Sequence, residues 1–267
     1  MGFHQDGDKP NILKGAIEQG ATVVQYLAHS GTTGSRAVHG LLCDRLTAPP
    51  ENQSHFSEEL VYISELGKFV SFFPNSIHKY HMYSAEKLER LSDEEIRNAE
   101  REKLELPKEG LLIVNISRPN RFDLAFFEMA FEILQNVEKA FLVLVEHSKA
   151  FKLRVQALFK DKSMDIRVCF IPFIDSDYEK LYTVLGVMDC VLDSLTYCGQ
   201  TSIVDSLWGT GVVFTVKGNT FSTRVAASLV TAFGTPENVF ESKDALVSKV
   251  SDILNNCLLY TSDAADE

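Results

Sequence analysis

The sequence predicts an α/β protein built on a parallel sheet with helices on both faces. Three observations carry that prediction. From Leu111 onward, short and almost wholly apolar segments alternate with longer stretches of helical periodicity. The apolar segments lack the in–out alternation of a half-exposed strand, as expected where both faces of a sheet are covered. The segments after them are rich in Gly, Asn, Asp, Ser and Thr, and sheets of this kind collect ligands beyond the carboxyl ends of their strands.

Taken in order, five strands are expected at 111–116, 140–146, 166–170, 190–192 and 212–216. Helices are expected at 124–134, 151–160, 178–185, 201–208 and 222–233, and an amphipathic helix over 243–254 closes the series. The pattern is Rossmann-like, and the loops 115–123, 172–177, 193–200 and 217–220 then share one edge of the sheet. Upstream, 22–27 reads as a short strand leading into the Gly- and hydroxyl-rich loop 29–35. Residues 41–44 form another apolar stretch, and Pro49-Pro50 marks a break. Residues 84–108 are highly charged; Ser92 with Glu95 predicts a capping box opening a helix over 93–104, read as a solvated linker.

Composition narrows the class. At 267 residues, 45% hydrophobic and 24% charged, the chain suits a globular protein with one main core. Its formal charge is −11, which argues against broad nucleic-acid binding but permits a local basic pocket. No apolar run reaches the length of a membrane span, so no membrane partner is expected. Cys43, Cys169, Cys190 and Cys198 show no metal-ligand spacing and read as buried free thiols of a reducing compartment, cytoplasmic or nuclear. His78 and His81 lie near Tyr80 and Tyr83 without a third ligand, and His29 and Asp44 are weak candidates for a base. No metal or cofactor is expected, and the catalytic residue is not legible.

The most specific segment is 197–208, Tyr-Cys-Gly-Gln-Thr-Ser-Ile-Val-Asp-Ser-Leu-Trp, followed by Thr-Arg-Val-Ala-Ala-Ser at 223–228. A helix opening at Thr201-Ser202 behind Gly199-Gln200 offers unpaired N–H groups and the positive end of its dipole to an anion. Simple helix capping is the alternative use of Thr201 and Ser202. Asp205 lies four residues after Thr201, on the same helix face. An anion site beside a carboxylate able to accept sugar hydroxyls is the minimum for binding a nucleotide diphosphate-sugar. Trp208 is read as a core residue.

These residues resemble the donor-binding motif of the protein O-GlcNAc transferase family, as does the run 218–228. Residues 56–62, Phe-Ser-Glu-Glu-Leu-Val-Tyr, also resemble a stretch of that family. The likeness is to the C-terminal part of the catalytic region of a two-lobed, GT-B type glycosyltransferase. It implies a remnant of the N-terminal lobe at 1–83, a charged helical linker at 84–108 and a nucleotide-sugar-binding lobe at 109–256. It also implies transfer of N-acetylglucosamine from UDP-GlcNAc, the donor substrate, to Ser or Thr hydroxyls of acceptor proteins, without a metal. Gln200, Thr201, Ser202 and Arg121 are then expected at the diphosphate and Asp205 at the ribose. Arg118, Tyr178, Gly218 and Thr220 are expected to line the site.

The sequence departs from the family pattern in places. Gln200 stands where the family usually has His, and Arg121 and Arg118 stand where it has Lys and Gln. Asp175, Ser176, Asp177 and Tyr178 replace a segment with a phosphate-binding Lys and a His. Two further readings stay open on these grounds: a GDP-fucose-dependent O-fucosyltransferase of the Spindly type, and a non-catalytic nucleotide-sugar-binding or interaction module. Family members carry tetratricopeptide repeats and a first lobe before this region, so the chain is expected to be a fragment. Residues 257–267 read as a translated sequencing adapter and are set aside from the fold.

Overall fold

A computed structural model describes residues 15–26, 30–62, 90–175 and 177–263. The expectations for Leu27, His29, His78, Tyr80, His81 and Tyr83 fall outside the described residues, as does the side chain of Tyr178.

The chain opens with three short parallel strands, β1 (Val24–Tyr26), β2 (Gly40–Cys43) and β3 (Glu59–Tyr62), paired in that order. Leu41, Cys43 and Leu60 point into the core, while Val24, Tyr26 and Val61 are exposed. The loop before β2 is fastened by Glu58, a buried carboxylate that accepts from Thr32 Oγ1 (2.6 Å), Thr33 N (2.5 Å) and the Thr33 hydroxyl.

Helix α1 (Glu94–Lys103) corrects two expectations. Its N-cap is Asp93, accepting from Glu95 N (3.0 Å) and Ile96 N (3.2 Å), so Ser92 does not form the predicted capping box. Nor is the segment simply solvated. Arg101 is 1% exposed, and its guanidinium donates to Val187 O (3.0 Å), Gly110 O (3.1 Å) and Asp189 Oδ2 (2.8 Å). Leu91 and Leu106, on either side of the helix, are buried too. A charge-rich pattern conceals such anchoring, because the partners of Arg101 are more than 80 residues away in two of the three cases.

The rest of the chain builds the expected parallel sheet. Its elements are β4 (Leu111–Asn115), α2 (Leu124–Asn136), β5 (Ala140–Glu146), α3 (Lys149–Asp161), β6 (Val168–Pro172) and α4 (Tyr178–Gly186). They are followed by β7 (Cys190–Leu192), α5 (Thr201–Gly209), β8 (Val213–Val216), α6 (Val225–Phe233), β9 (Val239–Phe240) and α7 (Lys243–Asp263). The strand order is β6-β5-β4-β7-β8-β9, all parallel. Alternate residues feed two cores. Val114, Val143, Val145, Ile171 and Val191 pack with α4, α5, α6 and the small sheet. Ile113, Leu142, Leu144, Cys190 and Leu192 pack with α2, α3 and α7. Burial on both faces is why these strands read as unbroken apolar runs.

Three elements differ from expectation. Ile166 belongs to a 3-10 turn, Asp165–Arg167, and is 78% exposed; strand β6 begins two residues later. Helix α6 starts at Val225, because Thr220 and Thr223 form a capping box around the turn Phe221–Thr223. Trp208 is 56% exposed rather than core. Ile203, Val204 and Leu207 take the inward stripe of α5, and Trp208, seven residues from exposed Thr201, returns to that outer face. On α7, Leu254 is the last side chain in the core.

Candidate functional site

Strand β4 is flanked by β5, its successor, and by β7, which is reached only after the chain has crossed to the other side. Such a reversal of winding opens a crevice at the carboxyl edge of the sheet. Two buried side chains set its floor. Asn115 Nδ2 donates to Leu192 O (2.7 Å) and Ser194 Oγ (3.3 Å), while its Oδ1 accepts from Ser117 N (2.8 Å). Asp193 accepts from Gly199 N (2.8 Å) and from Thr215 Oγ1 (2.8 Å), which pins the loop just before α5. Burial pushes the Asp193 carboxyl up to about 6, against the pull of its hydrogen bonds and of Arg121. Gly199 is required there: a Cβ would stand 2.7 Å from both Ile203 Cγ1 and Ser202 Oγ.

The start of α5 has no side-chain cap. Gln200 is the N-cap residue, and its carbonyl accepts from Ile203 N (3.0 Å) and Val204 N (3.2 Å). Its side chain turns to Tyr197 instead, Nε2 donating to the hydroxyl at 3.5 Å. Thr201 and Ser202 are therefore not N-caps, and the N–H groups of this first turn lack helical acceptors. Arg121, on the turn Pro119–Arg121 after β4, reaches across the crevice. Its Nη1 donates to the carbonyls of Cys198 and Tyr197, and its guanidinium lies 4.2 Å from the centre of the Tyr197 ring. Asp205, buried one turn into α5, accepts from the Tyr182 hydroxyl at 3.0 Å.

These residues meet around one cavity of about 350 Å³. Its polar wall holds Arg118, Arg121, Gln200, Thr201, Ser202 and Asp205, all six expected from the sequence to line or bind at a site. Its apolar wall includes Val145, Ile171, Phe173, Ile174 and Leu181. His147 joins them, with its Nε2 3.2 Å from Ser117 O and its ring centre 5.1 Å from that of Phe173. Burial holds His147 below its ordinary value, reinforced by nearby Arg118 and opposed by the Ser117 bond, so the ring favours the neutral form. Sequence reading missed His147, Asn115 and Asp193. All three stand at or one residue beyond a strand's carboxyl end, the only signal that marks them in advance.

Gly218 and Thr220 are not among the residues lining this cavity. Gly218 is explained by close packing, since a Cβ there would overlap the Thr223 side chain. The remainder of the 223–228 run joins the two sheets. Arg224 Nε donates to Leu46 O (2.5 Å) and Ser228 Oγ to Asp44 Oδ2 (2.6 Å). Asp44 is fully buried, and burial raises its carboxyl despite the bonds from Ser228, Thr47 and Leu46. A larger cavity, about 530 Å³, carries five carboxylates and would repel a diphosphate. Among the described residues no three His, Cys, Asp or Glu side chains gather as a metal site. No described helix is long and apolar enough to cross a membrane.

Comparison with known proteins matches this arrangement to a family. The model of glycosyl transferase family 41 matches residues 75–256. A mutant of Thermobaculum terrenum O-GlcNAc transferase superposes with a TM-score of 0.69 at 17% identity, over 92% of this chain and 47% of that one. Anabaena HepE in complex with UDP gives 0.49 at 13% identity, over 94% of this chain and 75% of that one. The pneumococcal O-GlcNAc transferase GtfA with UDP and GlcNAc gives 0.43 at 8%, over 94% and 55%. No curated protein matches the sequence. The chain thus spans about half the length of the Thermobaculum enzyme it resembles, and it shares the GT-B glycosyltransferase fold. Matched over more than half of its length by that family model, the chain belongs to glycosyl transferase family 41.

Proposed function

We propose that this chain is the donor-binding part of a glycosyltransferase that moves N-acetylglucosamine from UDP-GlcNAc to Ser or Thr hydroxyls of proteins. The observation that carries the reading is the convergence of Arg118, Arg121, Gln200, Thr201, Ser202 and Asp205 on one cavity at the switch point of a parallel sheet. The uncapped start of α5 supplies N–H donors and a positive dipole end for the diphosphate. Together with Arg121 it opposes the negative charge that grows on the leaving phosphate as the glycosidic bond breaks. Asp205, held by Tyr182, accepts ribose hydroxyls. The apolar wall around Phe173 and Ile174 receives the base. The acceptor-binding residues and the catalytic base lie outside this chain, and transfer needs the longer protein. Buried thiols at Cys43, Cys190 and Cys198 suit a reducing compartment, cytoplasmic or nuclear.

One observation favours a second reading. Gln200 is neutral, and its amide already bonds Tyr197, so the phosphate end holds less positive charge than a His would bring. On that reading the chain binds a nucleotide-sugar with little turnover. Calorimetric titration with UDP, UDP-GlcNAc, GDP and GDP-fucose, with Asp205→Asn as control, separates the possibilities. UDP-selective binding, weakened roughly tenfold or more in the variant, is the expected result. GDP-selective binding would replace the donor with GDP-fucose, and no binding to the folded chain would overturn the donor site. Gln200→His in the full-length protein then decides on turnover: a large rise in transfer rate identifies Gln200 as the limiting residue.

A further inference from the structure

The largest cavity of the molecule has no part in the site just described. It measures about 530 Å³ and follows β6, the terminal strand of the six-stranded sheet. Its walls come from both faces of that sheet. Lys152 and Phe170 lie on the face covered by α3, where Phe170 packs against the core. Leu104 and Val184 lie on the other face, beside α1 and α4. A cavity walled by both faces passes round the edge between them. Among the described residues β6 pairs only with β5, so the outward N–H and C=O groups of β6 face the groove. Pro172, at its end, has no N–H to offer.

The groove is also charged. It carries five carboxylates against three lysines. Lys103 is paired with Glu100 (2.6 Å) and Lys152 with Glu146 (2.7 Å). That leaves Glu105, Asp177 and Glu179 around Lys180, a net negative rim in a chain already at −11. A second copy of the chain would bring the same acidic edge and be repelled.

We propose that this groove binds an extended basic segment of a protein partner, which adds a strand to β6 and sets its Lys or Arg side chains against Glu105, Asp177 and Glu179. Backbone hydrogen bonds supply affinity without regard to sequence, and the acidic rim selects for positive charge. With five residues in β6, the paired part of the partner is about five residues long. The site is independent of the donor cavity: Val145, Ile171 and Phe173 line one, while Glu146, Phe170 and Pro172 line the other.

The test is fluorescence anisotropy of the whole chain with a labelled peptide of alternating Lys and Val, read alongside amide NMR shifts. Three comparisons are made: an alternating Glu and Val peptide, the Lys-Val peptide N-methylated at alternate residues, and the chain carrying both Glu105→Lys and Glu179→Lys. The expected result is saturable binding of the Lys-Val peptide with shifts centred on residues 168–171. The Glu-Val and N-methylated peptides should fail to bind, and the double variant should weaken binding roughly tenfold or more. Undiminished binding of the N-methylated peptide would overturn strand addition. Equal binding of the Glu-Val peptide, or no effect of the double variant, would overturn the acidic rim. Absence of Lys-Val binding, or self-association of the chain through β6, would overturn the proposal as a whole.

Discussion

Two residues of the crevice hold their loop at opposite ends. Asp193 grips Gly199 from below, and Arg121 grips Cys198 and Tyr197 from the side. Neither has been spared for the ligand alone, so the shape of the phosphate end is set before any nucleotide arrives. Asp193 also gives the fold a pH signature. Its carboxyl is raised from an ordinary 3.8 to about 6, so the folded state binds the proton more tightly than the unfolded chain. Its contribution is fully present below the unfolded value and is lost as pH rises through about 6. The substitution Asp193→Asn keeps an acceptor for Gly199 and a donor for Thr215 but does not titrate. The melting-temperature difference, variant minus parent, should therefore grow across that window and level off above it. A flat difference would show that burial does not raise this group. His147 and Asp193 were not legible in the sequence, because their roles depend on burial and on neighbours far along the chain. Thr201, Ser202 and Asp205 were legible, because their spacing on one short helix already implies a shared face.

At the scale of elements, α1 is joined to the large sheet by a single side chain with several partners. Replacing Arg101 by Met leaves Asp189 and the Val187 and Gly110 carbonyls without this donor. The loss should cost about 3–5 kcal/mol in urea unfolding, the range for breaking a buried ion pair from one side. Arg101→Lys should recover only part of it, since an ammonium lacks the planar fork. A loss below about 0.5 kcal/mol would return the helix to the status of a solvated linker. Legibility at this scale follows burial. Strand β5 is found where predicted, at Ala140–Glu146, because a seven-residue apolar run has few other uses. Strand β9, two residues long, has no period to detect. The cap of α1 moved from Ser92 to Asp93 because either side chain can serve, and local sequence does not choose between adjacent caps.

For the molecule as a whole, the informative contacts are those between the two sheets. Ser228 reaches Asp44 and Arg224 reaches Leu46, both from the start of α6. A double-mutant cycle of Asp44→Asn and Ser228→Ala should give a coupling of roughly 0.5–1.5 kcal/mol, and additivity would deny the contact. The resemblance of 223–228 to a donor-binding run pointed toward the nucleotide, whereas its Arg and Ser serve the union of the sheets, a distinction that needs the third dimension. Every residue lining the donor cavity lies between Ile116 and Asp205, wholly on one side of that union. A pivot at Asp44 and Ser228 would therefore carry the small sheet past the mouth of the cavity while the grip on the diphosphate stayed unchanged. Opening the enzyme and releasing its nucleotide are, by this construction of the joint, separate events.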